Sequence, residues 1–136
     1  MAERVDCTPD AAALLDQLVA QHGPVLFHQS GGCCDGSAPM CYQRGEFRIG
    51  ARDVLLGIIH NETPVYIGAA QFEYWQHTRL TIDLVPWRGA GFSLEAPEGV
   101  RFLTRSRLFT DAESVEMLLA GPPLRGPEAA GLASAR

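Results

Sequence analysis

The sequence predicts a small α+β domain: a mostly antiparallel or mixed β-sheet with an N-terminal helix and a short C-terminal helix. Three observations carry that reading. One helical apolar stripe lies near the N-terminus, a series of short apolar or alternating runs fills residues 24–104, and a helix-capping pattern follows at 110–113. Helix, many short strands, then helix is the order expected of an α+β layer structure. With 136 residues, 46% of them hydrophobic, the chain has room for one core.

The elements follow in order. Thr8 reads as an N-cap with Pro9 at the first helical position, and Leu14, Leu15, Leu18 and Val19 form one face before Gly23 stops the helix. PVLFHQ, residues 24–29, reads as a strand that ends in the turn-rich stretch SGGCCDGSAP. Further strands are expected over 46–49, 53–59 and 64–67, and one or two helical turns over 69–77. RLTIDLV, residues 79–85, alternates, with Leu80, Ile82 and Leu84 on one face. A turn at 87–91 leads into FSLEAP, and GVRFLT reads as a further strand. Thr110 and Glu113 form a capping box that opens a helix through Leu119. Residues 1–120 make the globular domain. The Pro, Gly and Ala content of 121–136 reads as a disordered tail.

Charge and composition exclude several classes. The formal net charge is -5, and all eleven basic residues are arginine, so no nucleic-acid partner is expected. Arg101, Arg105 and Arg107 form a local cluster that reads as a solvated strand or turn. No apolar run approaches the roughly 18–20 residues that cross a bilayer. The N-terminus lacks the basic-then-apolar pattern of a signal peptide, so no membrane association and a cytoplasmic location are expected.

Chemistry concentrates in HQSGGCCDGSAPMC, residues 28–41. Three of the four cysteines, Cys33, Cys34 and Cys41, fall within nine residues. Thiolates are soft ligands and good nucleophiles, and in a reducing compartment such clustering points to metal binding or catalysis. Gly31, Gly32 and Gly36 widen the backbone conformations open to the loop. On a strand, His28 shares a face with Leu26 and Ser30, opposite Val25, Phe27 and Gln29, and it completes a Cys3His set of the kind used for zinc. The adjacent cysteines depart from usual zinc spacing, which a metal shared between subunits would relieve. They could instead close a strained vicinal disulfide, a switch rather than a staple.

Other candidates read as structural. Cys7 reads as a small buried residue, His22 as a helix C-terminal group and His60 as part of the turn HNET. His77 reads as a satisfied structural histidine, and Phe72, Tyr74 and Trp75 as packing. Asp35 reads equally as a turn residue and as a ligand or base. No P-loop, GxSxG, HExxH or CxxC motif occurs.

The segments HQSGGCCDGSAPMC, QFEYWQHTRLTIDLVP, WRGAGFSLEAPEGVRF and TRSRLF together resemble the bacterial domain of unknown function 779 family, over about residues 8 to 115. The resemblance implies a neighbourhood: members are typically encoded beside aldehyde dehydrogenases, which makes such an enzyme the expected partner. A more distant similarity is to the A-type iron–sulfur carrier fold, a β-sandwich in which a strand ends in a glycine-cysteine loop. There Cys33 or Cys34 would correspond to the first cluster cysteine, and 92–97 to the phenylalanine-containing segment. The carriers' closing Cys-Gly-Cys is absent, so any ligands must come from the loop, a histidine or a neighbouring subunit.

The resulting expectation is a thiolate-based metal-binding or metal-delivery accessory protein. Cys33, Cys34, Cys41 and His28 would be ligands to zinc, iron or copper or to an iron–sulfur cluster, in a homo-oligomer. The competing readings are a thiol-dependent redox enzyme or sensor using Cys33 and Cys34, and a non-catalytic protein-binding module.

Overall fold

A computed structural model describes residues 3–29, 38–87 and 93–134. It is an α+β structure with two mixed sheets. Strands β1 (Val5–Cys7), β6 (Thr78–Pro86) and β7 (Val100–Leu108) form a three-stranded sheet in the order β1-β6-β7. Strands β2 (Val25–Gln29), β3 (Met40–Gln43), β4 (Val54–Ile59) and β5 (Thr63–Ile67) form a four-stranded sheet in the order β3-β2-β5-β4. In each sheet a parallel pair, β1 with β6 and β2 with β5, adjoins antiparallel neighbours.

The N-terminal helix α1 (Pro9–His22) begins where Thr8 and Pro9 require. The Thr8 hydroxyl accepts from the Ala11 amide, and Gly23 ends the helix at φ 79°. Leu14, Leu15 and Leu18 are buried as the stripe demands. They join Val25, Phe27, Val54, Val65, Ile67, Leu80, Ile82 and Phe102 in one cluster drawn from both sheets. Gly57 lets the sheets meet at one corner, because a Cβ there would stand 3.1 Å from Val5 Cγ1. Helix α2 (Ala69–Trp75) buries Phe72 and Trp75 and leaves Tyr74 exposed.

Three features depart from the sequence reading. Strand β3 falls where the sequence reads as loop, and the strand expected over 46–49 is a turn with a single bridge between Arg44 and Phe47. Phe47 folds back to stack on Tyr42 at 4.6 Å, so its apolar surface is satisfied without a ladder. Strand β1 was also unanticipated; three residues carry too little pattern to register.

Residues 121–134 are packed rather than a disordered tail. Arg125 bridges to Val54, the Tyr66 hydroxyl donates to the Gly126 carbonyl at 3.0 Å, and α4 (Ala129–Ser134) buries Ala129 and Ala130 against Leu55 and Tyr66. The reason lies in β2 and β5, which are buried along their whole length. A strand with two apolar faces needs cover on both, and small alanines supply it on the outer side. Helix α3 (Asp111–Ala120) carries the expected Thr110–Glu113 capping box, yet buries none of its residues. No helix among the described residues is long and apolar enough to cross a membrane.

Asp83 fastens the entrance of α1 to the three-stranded sheet. Its carboxylate accepts from Arg105 Nε at 2.8 Å, from the Leu84 amide at 2.8 Å and from the Thr8 hydroxyl at 3.0 Å. The Arg105 bond, then the Leu84 amide, hold its pKa below the usual aspartate value. A depressed folded pKa means stability present above the unfolded value and lost as pH falls through the folded one. Asp83→Asn is therefore expected to melt lower at pH 7, with the gap from wild type closing in melts taken at successively more acidic pH.

The turn between β4 and β5 places Asn61 at φ 58° and Glu62 at φ 53°. Two successive left-handed residues are the primed hairpin geometry, which favours Asn-Gly. Glu62→Gly removes the strain of a side chain at that angle and should raise stability by about 1 kcal/mol, read from the urea midpoint.

Candidate functional site

The parity of β2 decides where the candidate ligands go. Val25, Phe27 and Gln29 face the three-stranded sheet, with Phe27 edge-on to Phe102 at a centroid distance of 4.7 Å. Leu26 and His28 face outward. The antiparallel register sets Cys41 opposite Phe27 and Met40 opposite His28, so Cys41 points inward. Cys33 and Cys34 belong to residues 30–37, which lie outside the described residues. Of the expected Cys3His set, the two described members stand on opposite faces of one sheet and are not brought together.

On the inner side Cys41 is fully buried in the main hydrophobic cluster. Burial, and secondarily the charge of Glu95, push its thiol well above the usual cysteine range. In that setting Cys41 is a protonated core thiol. Its backbone does the polar work: the amide donates to Ser93 Oγ at 2.8 Å, and the carbonyl accepts from the Leu94 amide at 3.0 Å. The Ser93 hydroxyl donates to Glu95 Oε1, and Glu95 Oε2 accepts from the Phe102 amide at 3.0 Å. Nearby, Thr104 Oγ1 donates to Gln29 Oε1 at 3.1 Å. On either side of residues 30–37 a described residue thus has its own polar tie, Gln29 to Thr104 and Cys41 to Ser93. Glu95 is 2% exposed and forms no ion pair among the described residues.

On the outer side, buried His28 sets Nε2 at 3.2 Å from Asp53 Oδ1. Asp53 Oδ2 accepts from the Gly50 amide at 2.8 Å, which fixes the carboxylate in turn. The imidazole packs on Phe47 with a centroid distance of 4.7 Å. The 3.2 Å approach lacks the alignment of a hydrogen bond, so Asp53 stands beside the imidazole as a neighbouring carboxylate. No group of three or more His, Cys, Asp or Glu side chains among the described residues is placed to hold a metal ion. Cys7, half-buried under α1, has its thiol raised chiefly by burial, as a packed cysteine should.

Asp53 and Ser93 are not legible as partners because they act on His28 and Cys41 across a long sequence separation, and Glu95 reaches the Cys41 strand only through Ser93. Their one local signal is a polar residue inside an apolar run, Glu95 in FSLEAP and Asp53 at the head of DVLL. The family described as Domain of unknown function (DUF779) matches residues 14–108. No curated protein matches the chain.

Glu95→Ala leaves two buried donors, the Phe102 amide and the Ser93 hydroxyl, without an acceptor. A loss of about 2–4 kcal/mol is expected in urea unfolding, and Glu95→Gln, which keeps one acceptor, should lose about half as much.

Proposed function

The chain belongs to the DUF779 family, whose description leaves its chemistry open, and from that premise we propose a thiolate-based metal-binding accessory protein. Cys33 and Cys34 are the thiolate ligands in this reading. His28, two residues upstream of the loop and beside Asp53, is the third donor. Cys41 serves as an anchor, because a metal would have to enter the core and displace a tightly held proton to reach it.

The observation that supports this reading is the anchoring of both loop stems. Side-chain and backbone bonds to Thr104, Ser93 and Leu94 restrain Gln29 and Cys41 beyond the strand ladder itself. A short loop with fixed ends presents its donors with less entropy lost on binding, which is what a ligand-bearing loop requires. Zinc, iron, copper or an iron–sulfur cluster are the cargoes that two thiolates and an imidazole would favour. Two adjacent thiolates are completed most simply by a second copy of the chain, so a metal-dependent homo-oligomer belongs to the proposal, as does a reducing, cytoplasmic setting. The family neighbourhood makes an aldehyde dehydrogenase the first partner to test by co-purification.

Anaerobically purified protein should carry stoichiometric metal by elemental analysis. Cobalt(II) added to the metal-free chain should give a thiolate charge-transfer band. Cys33→Ser and Cys34→Ser should abolish that band, whereas Cys41→Ser should retain it and melt at a lower temperature. The reading fails if no zinc, iron or copper co-purifies and none binds tightly on addition. Reversible, metal-independent oxidation of Cys33 with Cys34 would replace it with the redox reading.

A further inference from the structure

We propose that a groove on the outer face of the four-stranded sheet binds an apolar molecule bearing a carboxylate. The groove holds about 530 Å³, within the range of small-molecule sites. Leu26 and Tyr66 from adjacent strands, Phe47 and Ile49 from the turn after β3, and Ala130 from α4 give it an apolar wall. The Tyr66 hydroxyl is already spent on Gly126, so the phenol contributes its ring.

Charge complementarity selects the occupant. Arg44 and Arg48 are the charged residues of the lining, and no acidic residue shares it. Both are exposed, and neither forms an ion pair among the described residues. On a chain of net charge -5 this is a local reversal of sign over an apolar floor. Glu46 sits between the two arginines in the turn but does not line the groove and forms no ion pair with either among the described residues. Of the acids that act on Tyr66, Asp53 lies against His28 and accepts from the Gly50 amide, and Glu128 acts only as a nearby charge. A guanidinium fork matches a carboxylate in two-point geometry, while the wall takes the hydrocarbon. The groove shares the outer face with His28, which packs on its Phe47 wall, but His28, the described member of the proposed ligand set, does not line it, so this binding does not depend on the thiol chemistry proposed above.

Calorimetric titration of the full chain with octanoate tests the inference, with 1-octanol and octylamine as uncharged and cationic counterparts. Saturable octanoate binding is expected, with 1-octanol and octylamine weaker by about tenfold or more, the order of a charge-assisted pair. The double variant Arg44→Gln, Arg48→Gln should lose octanoate affinity by about the same factor, keep its binding of 1-octanol, and melt like wild type because both side chains are exposed. Octanoate should also shift the His28 imidazole resonances through Phe47, and it should bind the Cys33→Ser protein unchanged. Equal affinity for octanoate and 1-octanol, octanoate binding unaltered in the double variant, or no saturation into the millimolar range would each overturn the proposal.

Discussion

Glu95 receives the Ser93 hydroxyl on one carboxyl oxygen and the Phe102 amide on the other, and Ser93 in turn receives the Cys41 amide. These bonds join the exposed margins of two different sheets, since β3 is an edge of the four-stranded sheet and β7 an edge of the three-stranded one. An open edge offers unpaired amides and carbonyls that must find partners when buried. Here the segment 93–95 supplies them, and one carboxyl joins the two sheets beside Cys41. The cost of burying that carboxyl is offset by hydrogen bonds rather than by a cation. Cys41, Ser93 and the two sheet edges therefore share a single constraint.

Much of the architecture was legible in local pattern. Thr8 and Pro9, the alternation of Leu80, Ile82 and Leu84, and the Thr110–Glu113 box all act within a few residues, and each appears where the sequence places it. What escaped notice depends on distant partners. Strand β3 exists because Cys41 pairs with Phe27 and hydrogen-bonds to Ser93, fifty-two positions onward. The packing of 121–134 depends on the second apolar face of β2 and β5, and only the assembled sheet shows that their inner face is already filled. Of the candidate site, the strand parity of His28 was readable and correct. The partners Asp53, Ser93 and Glu95 were not, because a lone polar residue in an apolar run does not name what it will touch.

The two faces of the four-stranded sheet divide the molecule's chemistry. The inner face is a sealed core in which Cys41 is held protonated, and its polar groups are consumed by structure. The outer face keeps an imidazole beside Asp53 and a groove lined by Ala130 and by two arginines that form no ion pair among the described residues. Small residues in such a lining leave volume that larger side chains would have filled, and such volume is what distinguishes a binding surface from a packed one.

The division is enforced by register. Side chains alternate along a strand with a period of two, so Cys41 and His28 could share a face only if β3 slipped by one residue against β2. That slip would carry Met40 into the core in place of Cys41 and uncouple the Cys41 amide and carbonyl from Ser93 and Leu94. It would also part Tyr42 from Phe47, and so withdraw the ring on which His28 rests. Each of these losses falls on a buried or stacked group, where an unmade bond costs about 1–3 kcal/mol. A fold of ordinary stability has little margin for several such losses at once. Cys41 and His28 are accordingly held on opposite faces of the sheet.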